Sequence, residues 1–174
     1  MEYKLTKETG SIAGYLKIVV ISDTHGTNEI LDQLREKYED AYAFVHCGDL
    51  EEDPRYYDRW VFVRGNNDYY SGFKDIAMFK AGKHKIYIEH SHMCPYRKRT
   101  EALARKAKDK GCDIVLYGHT HCSKIEMVND ILTINPGSSW WPRDGKEPSY
   151  ALLYVGDQDC LINLIFKKDW NLEN

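Results

Sequence analysis

Five short polar signatures, each directly after an apolar run, constrain this chain more than any other feature. They are Ser22-Asp23-Thr24-His25-Gly26, Gly48-Asp49, Gly65-Asn66-Asn67-Asp68, His90-Ser91-His92 and Gly118-His119-Thr120-His121. The runs before them (KIVVIS, AYAFVHC, WVFVR, KIYIE and DIVLY) are rich in β-branched and aromatic residues and read as strands. Parallel strands bring their carboxyl ends to one edge of a sheet, so turns that follow such strands converge on one crevice. Asp-x-His and His-x-His at strand ends direct alternate side chains to the same side. Glycines beside Asp23, Asp49, Asn66 and His119 let the backbone turn tightly there.

The order of elements around these turns defines the fold class. Residues 17–22 form a strand, and Ile30, Leu31, Leu34 and Tyr38 make one face of a helix over 27–38, with Thr27 or Asn28 as its cap. Two further strands follow, which implies a partly parallel sheet. A hairpin turns around Gly82, and a helix over 99–110 is capped by Thr100 and ended by Gly111. Two more hairpins turn at Asn129–Asp130 and near Gly156–Asp157. Two packed sheets flanked by helices accommodate this order in one α/β domain over 17–174. Residues 1–16 lack a clear period. They read as an edge strand or a mobile extension, with partial disorder the expectation.

Composition narrows the function classes. With 43% hydrophobic and 29% charged residues among 174, the chain resembles an ordinary soluble domain. A net charge of −3 argues against a chain-wide basic field for nucleic acid. The five cysteines are odd in number, widely spaced and without a CxxC pair, which fits a reducing cytosol better than a disulfide framework. The polar N-terminus and the short apolar run broken by Lys17 fit neither a signal peptide nor a membrane span, so a cytoplasmic location without membrane attachment is expected.

The signatures offer a mixed N/O donor set: Asp23, His25, Asp49, Asn66, His90, His119 and His121. Such donors suit Mn, Fe, Zn, Co or Ni better than Mg or Ca. They are too many for one catalytic ion that must keep open positions. Two divalent ions sharing one carboxylate fit better, with Asp49 as the bridge. Their charge would outweigh that of the two carboxylates and attract a phosphate anion.

In order and spacing, the signatures resemble those of the calcineurin-like metallophosphoesterase superfamily, which run D-x-H, G-D, G-N-H-[DE], H and G-H-x-H. The resemblance covers about residues 17–166. ISDTHG, IEHSHM, YGHTH and INPGSSWWPR look most like the small YfcE-like phosphodiesterases. The resemblance implies a four-layer αββα sandwich of two mixed β-sheets flanked by helices. It divides the donors into one site of Asp23, His25, Asp49 and His121 and a second of Asp49, Asn66, His90 and His119. Manganese is the expected ion, with Ni, Zn, Fe or Co as alternatives. The implied reaction is phosphodiester hydrolysis by in-line attack of a metal-bridging hydroxide, without a covalent enzyme intermediate.

Two positions depart from the family pattern. Where the family often has histidine, this chain has Asn67, whose amide donates a hydrogen bond but cannot act as a general acid near neutral pH. Slow turnover favouring good leaving groups follows. His90-Ser91-His92 replaces a more usual His-Gly-His, and His92 is a candidate substrate contact or proton donor. The candidate catalytic set is therefore Asn67, His92 and Asp68, where Asp68 matches an acidic position that supports a neighbouring ligand. Arg143, after the Asn135-Pro136-Gly137-Ser138 turn, resembles an arginine that positions a phosphate and joins Asn67 and His92 as a candidate substrate-binding residue.

Competing readings concern the same residues. The retromer subunit shares this fold, so a metal-binding scaffold for protein–protein interaction is one alternative. A zinc knuckle of Cys112, His119, His121 and Cys122 has poor spacing. Arg97, Lys98, Arg99, Arg105, Lys106, Lys108 and Lys110 could track a nucleic-acid backbone and suit a nuclease, although Glu101 and Asp109 interrupt the run. Tyr56, Tyr57, Trp60, Tyr69, Tyr70, Trp140 and Trp141 are dense around the turns and offer stacking surfaces, core packing or a homo-oligomer interface. His46 and His84 read as non-ligands. The expected partner is a small phosphate ester.

Overall fold

The structure is a computed structural model, described here for residues 1–172. It contains two mixed sheets. The first has the strand order β1 (Glu2–Leu5), β11 (Asp159–Phe166), β10 (Ser149–Val155), β2 (Leu16–Ile21), β3 (Ala43–His46), β4 (Trp60–Phe62). The second has the order β5 (Ile76–Ala81), β6 (His84–Glu89), β7 (Ile114–Tyr117), β9 (Ile131–Asn135), β8 (Lys124–Val128).

Alternation along the strands sets the layers. Ile18 and Val20 of β2, Ile86 and Ile88 of β6, and Ile114 and Leu116 of β7 meet between the sheets. Val19 and Ile21 face the other way, onto Leu31 and Leu34 of α1 (Glu29–Lys37). Tyr87, Val115 and Tyr117 likewise face Leu103, Ala104 and Ala107 of α2 (Arg99–Asp109). The four layers are therefore α1, sheet, sheet, α2, as the resemblance implies. Strands apolar on both faces read as continuous hydrophobic runs, which is why these segments were legible.

Strands β2, β3 and β4 are mutually parallel, as are β6, β7 and β9. In the first set Ile21, His46 and Phe62 lie side by side, so the three strands end level. The hairpin turn at Asn129–Asp130 has positive φ at both residues (49° and 66°), as a tight two-residue hairpin requires.

Three expectations change. Partial disorder does not hold over Glu2–Leu5, which pairs in parallel with β11 from Asp159 to Ile162 and packs Tyr3 against the inter-sheet core. The partner lies more than 150 residues away in sequence, so no local pattern announces it. Thr100 sits inside α2; Lys98 is the N-cap and makes no side-chain cap bond. Asn28 is the N-cap of α1 but does not cap it with its side chain, which donates instead to the Leu50 carbonyl (3.1 Å) and Glu52 (2.8 Å).

Candidate metal centre

The turns after β2, β3, β4, β6 and β7 deliver the five signatures to the same end of the sandwich. Asp23, His25, Asp49 and His121 come from the turns after β2, β3 and β7, with one donor atom from each within 4.8 Å of the others. His121 Nε2 lies 3.1 Å from Asp23 Oδ1 and 3.1 Å from His25 Nε2. Beside this group, Asn66 Oδ1 lies 3.2 Å from His90 Nε2 and 2.9 Å from His119 Nδ1. Asp49 stands between the two: its Oδ2 is 3.8 Å from His25 Nε2 and 3.4 Å from His90 Nε2.

The turns are strained to achieve this. Asp23, His25, Asp49, His119 and His121 all have φ between 46° and 72°, a left-handed region that non-glycine residues visit at a cost of about 1–3 kcal/mol each. Two glycines make the approach physically feasible. A Cβ on Gly65 would lie 2.1 Å from Asp49 Oδ1, and one on Gly118 would lie 2.1 Å from Ser22 Oγ and 2.7 Å from Asp23 Oδ2.

Hydrogen bonds at the back of the site fix which nitrogen faces inward. His90 Nδ1 donates to the Cys47 carbonyl (2.6 Å), and His121 Nδ1 donates to the Trp141 carbonyl (2.7 Å). Carbonyl oxygens only accept, so both Nδ1 atoms carry the proton. His25 Nδ1 meets the Glu51 carboxylate at 2.5 Å. When both imidazoles are neutral, the Nε2 atoms of His25 and His121 face each other as lone pairs at 3.1 Å. Asp23 Oδ1 is buried beside them without a hydrogen-bond partner. Facing lone pairs and an orphaned carboxylate oxygen are repulsive alone, and a cation between them relieves both. The donor set therefore fits a divalent metal.

Electrostatics follow the same geometry. Burial works against charge on Asp23, but His121, His90 and Ser22 outweigh it and lower its pKa. Asp49 is also opposed by burial, yet His90 and the Asn67 donors hold it well below the usual carboxylate range. Burial, with His90 and Arg99 adding to it, pushes His119 down to about 4, leaving its imidazole neutral and able to ligate.

The remaining predicted residues take distinct places. Asp68 is buried and its carboxylate is saturated by backbone donors: Asp49 (2.8 Å) and Gly65 (2.7 Å) on Oδ2, Glu51 (2.8 Å) on Oδ1. It ties the loop after β3 to the loop after β4. Asn67 turns toward Asp49, donating its backbone N–H to Oδ1 (2.9 Å) and its amide to Oδ2 (3.1 Å). The His92 ring sits 5.5 Å from that of His90 and 6.2 Å from that of His119. Burial and the His90 charge lower its pKa. Arg143 is exposed and lines a cavity beside His119.

The knuckle residues do not assemble: Cys112 packs under α2, away from the histidines. His46 is buried and accepts the Gly48 N–H at Nδ1 (3.1 Å), so its Nε2 donates to Thr24 Oγ1 (2.9 Å) and ties two site loops together. His84 begins β6, just past its hairpin turn, and contacts Asp113 at 2.5 Å. Sequence reasoning missed Glu51. Its only signal was an acid two residues after Asp49.

Residues 16–158 match the Calcineurin-like phosphoesterase superfamily domain. The chain is 33% identical over 141 residues to the probable metallophosphoesterase YsnB of Bacillus subtilis, covering 79% of this chain and 83% of that one. It is 28% identical over 144 residues to a phosphodiesterase of Methanocaldococcus jannaschii, covering 70% and 83%. A solved structure of a predicted phosphoesterase from Streptococcus pneumoniae superposes with a TM-score of 0.83 at 29% identity, covering 91% and 93%. Vps29 of Entamoeba histolytica, solved in complex with zinc, superposes at 0.73 and 27% identity, covering 91% and 96%. The ligand geometry and these likenesses agree: the chain belongs to the calcineurin-like phosphoesterase superfamily as a metallophosphoesterase.

Proposed function

We propose that this metallophosphoesterase hydrolyses phosphodiesters at a dinuclear site. Asp23, His25, Asp49 and His121 would hold one ion, and Asp49, Asn66, His90 and His119 the other. The observation that carries this reading is the position of Asp49 Oδ2, within 3.8 Å of His25 Nε2 on one side and 3.4 Å of His90 Nε2 on the other. Manganese is the favoured occupant, with Ni, Zn, Fe and Co compatible with the same donors. When bound, such ions supply Lewis acidity to the phosphoryl group and the attacking water.

The chain's own residues support direct attack by water. Ser22 and Cys47 are both fully buried, and burial pushes the Cys47 thiol far up, so neither is placed to attack a substrate. Asn67 holds the shared carboxylate with two donors but has no proton to give a leaving group. His92, with its lowered pKa, is neutral near pH 7 and serves better as a substrate contact than as an acid. Arg143 supplies positive charge on the open side. Esters with good leaving groups should therefore react fastest. Reconstitution with Mn, Ni, Co or Zn, followed by assay on paired aryl phosphate mono- and diesters, tests this. The expected result is hydrolysis with the diester preferred; monoester preference refutes the diester assignment.

The likeness to Vps29 favours a second reading, a scaffold that binds protein partners, with exposed Tyr69, Tyr70, Trp140 and Trp141 as its surface. No hydrolysis with any of these metals would favour it.

A further inference from the structure

The cavity beside His119 is positively charged in a way the metal centre does not require. It encloses about 690 Å³, within the range of small-molecule pockets. Its lining includes Tyr96, Arg97, Arg99, His119, Lys124 and Arg143, and no carboxylate. Among the described residues, neither Arg97 nor Arg143 takes part in an ion pair, whereas Lys124 pairs with Glu126 at 2.8 Å. Arg99 donates to the Ser91 hydroxyl at 3.0 Å, which anchors one cationic wall next to the candidate site. His119 belongs to both the cavity and the donor cluster, so an ester bound at the cluster reaches directly into this space. Tyr96 is 89% exposed at the rim and presents a ring face to an incoming group.

The basic stretch seen in the sequence does not continue as a track. Lys106 turns away and pairs with Glu89 at 2.7 Å. Arg105 and Lys108 line a separate depression together with Glu101 and Asp130. A local group of cations beside the reacting position suits one further anionic group on a small substrate. A polymer backbone needs a continuous stripe.

We propose that this cavity is a subsite for a second phosphate on the substrate, which makes the preferred substrate a small phosphodiester carrying an additional phosphomonoester, as in a nucleoside bisphosphate ester. The inference rests on the phosphodiesterase reading for its kinetic arm and is independent of it for its binding arm. In the kinetic arm, manganese-reconstituted protein is given the p-nitrophenyl ester of thymidine 5′-phosphate with and without a 3′-phosphate. The 3′-phosphorylated ester is expected to be preferred at least about tenfold in kcat/KM, and the ratio should fall toward one in an Arg97→Ala/Lys124→Ala double variant. Charge-assisted phosphate contacts are of the strength that such a ratio requires. A wild-type ratio near one, or a ratio unchanged in the variant, overturns the subsite.

In the binding arm, calorimetry compares thymidine 3′,5′-bisphosphate with thymidine 5′-phosphate on the same protein. Tighter binding of the bisphosphate, lost in the double variant, supports the subsite even if neither ester is hydrolysed; that failure would count against the phosphodiesterase reading alone. Equal affinities overturn the subsite. Affinity that keeps rising with oligonucleotide length from two to eight nucleotides overturns it in favour of a nucleic-acid track.

Discussion

Among single residues, Asn67 and His46 make the sharpest claims. Asn67 occupies the place where a proton donor is common in the family, yet spends its amide on Asp49. An Asn67→His substitution should raise kcat on an unactivated alkyl phosphodiester about tenfold or more, toward the lower range of general acid catalysis. An unchanged or lower rate on that ester would show that the position does not face the leaving group. His46 is pushed down to about 3 by burial, so the folded protein keeps it neutral. Between about pH 6.5 and 3 the unfolded chain binds a proton at this residue that the folded chain refuses. Stability therefore falls as pH drops through that window, by up to ~1.4 kcal/mol per pH unit from this group. Urea unfolding at pH 7.5 and 5.5 should show a smaller loss on acidification for His46→Gln than for wild type, and an equal loss would assign the pH dependence elsewhere. The ligands were legible because each is a polar residue placed abruptly after an apolar strand. Their orienting partners were not: two are backbone carbonyls, of Cys47 and Trp141, which carry no side-chain signature.

At the scale of elements, the strand ends build the site and the glycines let the loops meet. Gly65→Ala places a methyl group 2.1 Å from Asp49 Oδ1 and 2.3 Å from its backbone nitrogen, so the two loops must separate. Metal content after dialysis should fall to background while far-ultraviolet circular dichroism stays that of the native fold. Retained stoichiometric metal would mean that the loop contact is dispensable. Strand β1 is the opposite case, because two strands, β11 and β10, separate it from β2. Deleting residues 1–6 removes its pairing with β11 and the packing of Tyr3. The expected cost is about 1–2 kcal/mol, seen as a fall in Tm of roughly 2–8 °C for a chain of this size, with metal binding kept. Unchanged Tm would show that β1 adds no stability. Parallel strands buried on both faces were readable from their continuous apolar runs. An edge strand paired to the far end of the chain was not, because register with β11 is a long-range property. Helix caps misled for a related reason: Asn28 carries the right chemistry for a cap, but its amide donates to the loop after β3 and holds Oδ1 away from the helix N–H groups.

For the molecule as a whole, the two sheets bring six parallel strand ends to one edge of the sandwich, and charge is distributed to match. The net charge is −3, so the cations beside His119 are a local feature and not a global field. The order of signatures along the sequence was enough to place the ligands on one edge. The cavity was not readable in the same way, because it joins residues from the turn after β6, from β8 and from the loop after β9. The central claim is a pair of ions sharing Asp49. Adding manganese in steps to metal-free protein, while following aryl phosphodiester hydrolysis, tests it directly. The account predicts that activity rises to a plateau at two equivalents in the wild type and is absent in Asp49→Ala. A plateau at one equivalent, or an Asp49→Ala variant as active as wild type, would contradict it.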